Sequence, residues 1–417
     1  MEEKRLARSY STRLSVAGSL ILSSPLYISV FLMRFSFGLV LFTLPIYLPR
    51  EEFSNFVVGV IAAAYPVTEI IAAPAIGVLV DWFGRRRWIY LGLALSTLAL
   101  FAFTLNTGVY YLILVHAVQG LAAAMIVVST LTMATDVSTT SNRGREMGIY
   151  DFANLGGYVV GIFAAGVLVR THLIVAPFYF ASALAAVGAV FAYLKVKEAK
   201  TRARRSALSP IRTLRLLLTD KRAAAMFPIW LSVTIFIGMA LTFGPRFGPS
   251  PLLTSFVIAG IVLILAFSQP FFGHLSDHYG RDRLMMLGMV SLIGFFASVV
   301  TLFRHRLDLV YVVPFLVVFG IGSFAFAPAA LASLGDLAPE RGRGTTMGIY
   351  SVVISLGTII GPLLGGYLLD RYGISSLFYA GLVILIAAMS VATVIVGPDF
   401  RNLRPISWRG GRSRPSS

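Results

Sequence analysis

The sequence predicts an all-α polytopic membrane protein: twelve transmembrane helices forming two six-helix repeats around a central cavity. Three observations predict it. Of 417 residues, 57% are hydrophobic and 13% charged, about half the charged share of an ordinary soluble chain. Twelve predominantly apolar runs each approach the length that crosses hydrocarbon, about 20 residues. Motifs recur in the two halves at fixed spacing. The net charge of +17 would suit a nucleic-acid binder or a basic disordered tail, but a mean hydropathy of +0.82 excludes both. Cysteine is absent, so no disulfide framework, thiolate metal site or catalytic thiol is available.

Taken in order, residues 1–25 are basic but mixed, lack a small-residue cleavage site, and are expected to be a tail rather than a removed signal. The first six runs are 26–48, 55–80, 88–107, 109–134, 146–169 and 173–194, an N-terminal bundle over 26–194. The one long polar interruption, 195–223, is a linker rich in Lys and Arg. The second six are 224–244, 253–272, 284–303, 309–334, 346–369 and 375–396, a C-terminal bundle over 224–396, followed by a basic tail, 397–417.

Orientation follows from the cations. With the N-terminus inside, 28 of the 35 basic residues fall on the cytoplasmic side and six outside, with Arg34 inside a run. That asymmetry places both termini in the cytoplasm of a plasma-membrane protein and accounts for the charge without nucleic acid.

The repeat is visible in the loops. MGIY occurs at 147–150 and 347–350, an offset of 200, at which Asp136 matches Asp336, Arg143 matches Arg343, Gly157 matches Gly357 and Gly161 matches Gly361. Another pair, GVLVDWFGRRR at 77–87 and GHLSDHYGRDR at 273–283, follows the second run of each half. Parallel repeats about an axis along the membrane normal, with the substrate at their interface, are a known transporter plan.

These residues resemble the major facilitator superfamily over essentially all of 26–396. Its signature Gly-x-x-x-Asp-basic-x-Gly-basic-basic is matched by Gly77, Asp81, Gly84, Arg85 and Arg86, with Trp82 a departure. The second copy matches at Gly273, Asp277, Gly280 and Arg281, with His278 and Asp282 as departures. Physically, glycines permit tight turns and close helix approach, and Asp81 or Asp277 at a helix end can pair with cations or a helix N-terminus. They are read as a cytoplasmic gate, against an Arg cluster that only sets topology. Asp136 with Arg143, and Asp336 with Arg343, resemble acid-to-Arg pairs of the same gate; the alternative is solvated loop charge.

GTIIGPLLGG at 357–366 (Gly357, Gly361, Pro362, Gly365, Gly366) resembles the drug-antiporter signature, but lies in the eleventh run. The fifth run has Gly157 and Gly161 with Ile162 where proline is expected, which weakens that assignment. Close packing is expected at both places, with or without a conformational role.

Ionisable residues inside the runs are few: Arg34, Glu69, His116 and Asp151. A charge at the bilayer centre costs roughly 2.5–3.5 kcal/mol on insertion scales, so each should face the protein interior. The resemblance implies that the first, second, fourth and fifth runs line a cavity, which would bring all four together. Arg34 and Glu69 form the sharpest pair, either a proton-coupling or substrate site or a structural bridge. His116, with Gln119 and Gly120, resembles the family's Arg-x-x-Gln-Gly with His for Arg, and is either a proton site or a hydrogen-bonded spacer. Asp151, Asn154 and Tyr158 share one helix face, read as a cavity wall unless Asp151 is shallow enough to meet water.

No phosphate loop, metal-ligand spacing, nucleophile elbow or dinucleotide fingerprint occurs. The expectation is therefore a cofactor-free, non-enzymatic, monomeric secondary transporter of a small organic molecule working by alternating access with protons. Export is preferred to uptake or exchange of an anionic or sugar-like solute. A membrane sensor is the alternative of another class.

Overall fold

The computed structural model describes residues 2–48, 53–105, 108–137, 143–169, 174–198, 215, 217–248, 250–305, 309–337 and 343–396. Among the described residues the regular structure is helical, with no strand. The first half holds α1 (Glu2–Tyr47), α2 (Asn55–Phe83), α3 (Arg86–Ala102), α4 (Val109–Val137), α5 (Arg143–Val169) and α6 (Ala176–Lys195). The second holds α7 (Lys221–Phe247), α8 (Pro251–Tyr279), α9 (Arg281–His305), α10 (Leu309–Ser323), α11 (Phe326–Leu337), α12 (Arg343–Tyr372) and α13 (Ser375–Val396).

Eleven described stretches are long and apolar enough to cross a membrane. The remaining expected run is α3, a 17-residue helix prolonged by turn bonds from Phe103 to Ala99 and Leu105 to Ala102. The run 309–334 is interrupted, with α10 and α11 meeting at a turn through Phe324 and Ala325. Pro328 explains the break: it has no N–H for the Phe324 carbonyl, and its ring would clash with that carbonyl in a continuous helix. Phe324 and Ala325 bond instead to Ile321 and Gly322, three residues back.

The signature glycines Gly84 and Gly280 terminate α2 and α8 with φ of 87° and 93°. An L side chain is strained there, so the repeated glycine is dictated by the turn.

Contacts divide the chain into two compact units. The first comprises Met1–Arg204, Thr234–Phe271 and Ile354–Tyr379. In it α1 lies along α5 and α6, α2 along α4, and α3 between α4 and α6. Leu26, Val30, Ile89, Leu93, Ile126 and Ala192 are part of its core. Lipid is as apolar as leucine, so close van der Waals contact between small residues must hold such helices together. Gly157 and Gly161 of α5 sit on the backbone of α1 from Phe31 to Gly38. Their counterparts 200 residues later, Gly357 and Gly361 of α12, sit on Thr234, Ile235, Gly238 and Met239 of α7. Pro362 presents its carbonyl to Gly59, while Gly365 packs on Phe243 and Gly366 on Asn55 and Phe56.

The second unit comprises Arg205–Val233, Phe272–Val353 and Ala380–Ser417. Its α9 lies along α10 and α11. Trp230 packs against Phe326 at 5.1 Å between ring centroids, within a core that includes Met226, Ile229, Ala330 and Val396.

Candidate functional site

The packing glycines set the first constellation. Gly157 has no side chain to hold α5 away from the Arg34 Cβ, so Arg34 reaches residues on either side of that glycine. Its Nε donates to Asn154 Oδ1 at 2.5 Å and a terminal nitrogen donates to Tyr158 Oη at 2.8 Å. The guanidinium also lies 5.1 Å from the centroid of the Tyr158 ring. Phe37 covers the site, its ring 4.6 Å from Tyr65 and 5.6 Å from Tyr158.

Glu69 stands one helical turn beyond Tyr65 on α2 and is half-buried. It lies within the field of Arg34, but no Arg34–Glu69 ion pair forms within 4.0 Å. The sequence reading paired these two residues; the structure gives the arginine neutral partners on α5 instead. An Asn oxygen and a phenol are within reach because α1 and α5 touch along their glycines.

His116 is buried on α4, and its Nδ1 donates to the Ile61 carbonyl of α2 at 2.7 Å. Its ring packs between Tyr65 and Phe103. Gln119, one turn further, is 3% exposed, and its side-chain oxygen has no hydrogen-bond partner. Asp151 shares a face with Asn154 and Tyr158 but is exposed, and neither of those residues bonds to it.

The second constellation lies at the junction of α2 and α3. Arg85 is its hub, donating to Asp81 and to Asp136, each at 3.1 Å, and to the Val80 carbonyl at 3.4 Å. The arginine side chain is 11% exposed and that of Asp81 68%. Burial pushes the Asp136 carboxyl above its usual range, although Arg85 pulls it the other way. Helix α3 has no N-cap side chain of its own. Glu198 supplies one, accepting from the Arg85 and Arg86 backbone N–H groups at 2.7 and 2.9 Å. Arg86 in turn donates to the Tyr193 carbonyl. Gly77 and Gly273 face open space, and Gly280 makes its turn. The side chains of Arg143, Asp277, Asp336 and Arg343 lie outside the described residues.

A third constellation was missed by sequence reasoning. Asp370, near the end of α12, accepts from the backbone N–H groups of Asn55 and Phe56 at 2.9 Å each, and from Asn55 Nδ2 at 2.7 Å. Arg246 of α7 donates to Asn55 Oδ1 at 2.5 Å. In the sequence Asp370 falls one residue past the expected run 346–369 and belongs to no motif. Glu198 was hidden likewise in the charged linker.

No cluster of three or more metal-ligating side chains occurs among the described residues. A cation on neutral partners, a carboxylate without an ion pair and an aromatic wall can together hold a proton or one charged group of a small molecule.

Many membrane-length helices in a duplicated chain, with ionisable groups held between them, define a polytopic membrane transporter. The sequence profile of the Major Facilitator Superfamily matches residues 26–249 and 225–416, and the chain belongs to that superfamily of non-enzymatic transporters. It is 26% identical to multidrug resistance protein 2 of Bacillus subtilis over 385 residues, covering 86% of this chain and 91% of that protein. It is 25% identical to the quinolone resistance protein NorA of Staphylococcus aureus over 355 residues, covering 83% and 89%. Among solved structures, the nucleoside transporter NupG superposes with a TM-score of 0.67 at 18% identity, over 90% of this chain and 98% of that one. A bacterial homologue of the lysosomal transporter Spinster gives 0.68 at 15%, over 91% and 94%. These last two likenesses concern the fold.

Proposed function

We propose that the protein exports a small organic molecule across the plasma membrane by alternating access, driven by protons. It works as a monomer with both termini cytoplasmic, and residues 26–194 and 224–396 are the two moving bundles. The observation that carries this reading is Glu69, a carboxylate within a membrane span that faces Arg34 without an ion pair to it. A carboxylate tied to a guanidinium is held ionised, whereas one near but free of it can load and release a proton as its surroundings change. Phe37, Tyr65 and Tyr158 give a flat apolar ligand a surface beside it. The relatives named for multidrug and quinolone resistance support export.

The test is transport into inverted vesicles with an imposed pH gradient, using a fluorescent quinolone and a lipophilic cationic dye. Glu69→Gln keeps the shape but cannot ionise. It should abolish gradient-driven accumulation while counterflow exchange persists. Gradient-driven transport at the wild-type rate would refute the role of Glu69. A second reading, uptake or exchange of an anion, is favoured by one observation: the hydrogen-bond partners of Arg34 are neutral, leaving its charge for a substrate. Under that reading an anionic solute, not the dye, accumulates, and Arg34→Gln rather than Glu69→Gln abolishes it.

A further inference from the structure

The contact between Asp370 and the start of α2 joins parts of the chain that are 315 residues apart, and it is not a feature the repeat requires. Where Gly366 of α12 meets Asn55 and Phe56 of α2, Gly166 of α5, 200 positions earlier, meets Pro251 and Ser255 of α8. The two contacts are repeat counterparts, yet the helix starts are satisfied differently. In the second, Ser250 within the same segment accepts from the Leu253 N–H at 3.2 Å. In the first, Ser54 accepts from Val57 at 3.3 Å, and two further N–H groups, of Asn55 and Phe56, are taken by Asp370 from another helix. The position 200 before Asp370 is Arg170, a residue that cannot accept. A carboxylate at a helix N-terminus satisfies orphan donors and the helix dipole together. Arg246 then ties the Asn55 side chain to α7.

We propose that Asp370, Asn55 and Arg246 form a latch that holds α2 against α7 and α12, and that it opens and recloses once per transport cycle. Asp370 is a positioning residue: it touches no substrate, and it sets the population in which this end is closed. The proposal rests on alternating access, but its test needs neither a substrate nor protons.

The chain has no cysteine, so single cysteines report without background. Ser255 is fully buried, against Gly166 at this end; Ser129 is fully buried on α4. Purified Ser255→Cys and Ser129→Cys proteins in detergent are treated with a maleimide, with and without Asp370→Asn. Loss of the charged cap should raise the labelling rate at residue 255 by about tenfold, the scale of one helix cap, and leave residue 129 unchanged. Arg246→Gln keeps the cap but removes the Asn55 tie and the cation near Asp370, so it should raise labelling at 255 by about threefold, the worth of one hydrogen bond at the weak end. If Asp370→Asn does not give monodisperse protein, Arg246→Gln carries the test. Labelling at 255 that neither variant changes overturns the latch, as does an equal rise at 129, which would mean general loosening. A failed export assay with the 255 response intact would remove the export reading and leave the latch.

Discussion

The two ends of the first unit solve the same problem, an unsatisfied helix start, with opposite connectivity. At the α2–α3 junction, Glu198 caps α3 and Arg85 gathers Asp81 and Asp136, all within residues 81–198. At the other end, Asp370 caps α2 from the far half of the sequence, and Arg246 adds a second tie from α7. The chemistry is shared: a carboxylate on consecutive backbone N–H groups with an arginine beside it. The difference lies in what each can gate. Under the proposed alternating access, bonds inside one repeat can persist while the repeats move, whereas bonds between repeats break.

The largest effect that would break this contrast is predicted for Arg85→Ala. It removes the hub and leaves Asp136 beside Asp81 without a cation, costing about 2 kcal/mol in folding stability. A fall in the thermal midpoint of the purified protein, with labelling at 255 unchanged, fits an intra-repeat brace. Restored stability in Arg85→Ala/Asp136→Asn would attribute the loss to the stranded carboxylate.

Glu198→Gln sharpens the contrast with a smaller change. One backbone N–H keeps an acceptor, and the other meets an amide NH2 unless the side chain turns. A loss of about 1 kcal/mol, that of an N-cap, is expected in the thermal midpoint. The charge-conserving Glu198→Asp should recover less than half of it, because the shorter side chain cannot reach both Arg85 and Arg86. A midpoint at the wild-type value in Glu198→Gln would remove Glu198 from the brace.

How much of this was legible follows from the range of each interaction. Spans were legible because apolar runs and their turns are local: the expected 375–396 is α13, and 55–80 lies within α2. Gly84 and Gly280, which close GVLVDWFG and GHLSDHYG, were legible because a helix end at positive φ selects that residue. The break at Phe324 was written in Pro328 but masked by a continuous apolar run. The partners of Arg34 were half legible: Asn154 and Tyr158 share a face, but which carboxylate or amide the guanidinium reaches depends on how closely Gly157 lets α1 approach α5. Asp370 was not legible at all. Its partners lie more than 300 residues away, and nothing in its neighbourhood separates a cap from a boundary charge.

The contrast between the two ends is tested most directly by dipolar spin-label distances at both of them. One label pair joins Phe56 of α2 to Tyr367 of α12, both exposed at the Asp370 end; the other joins Trp82 of α2 to Tyr193 of α6, both exposed at the Arg85 end. Introducing Asp370→Asn should move part of the 56–367 population to a longer distance and leave the 82–193 distribution as in the parent. A single unchanged 56–367 distance, or a shift confined to 82–193, would contradict the account.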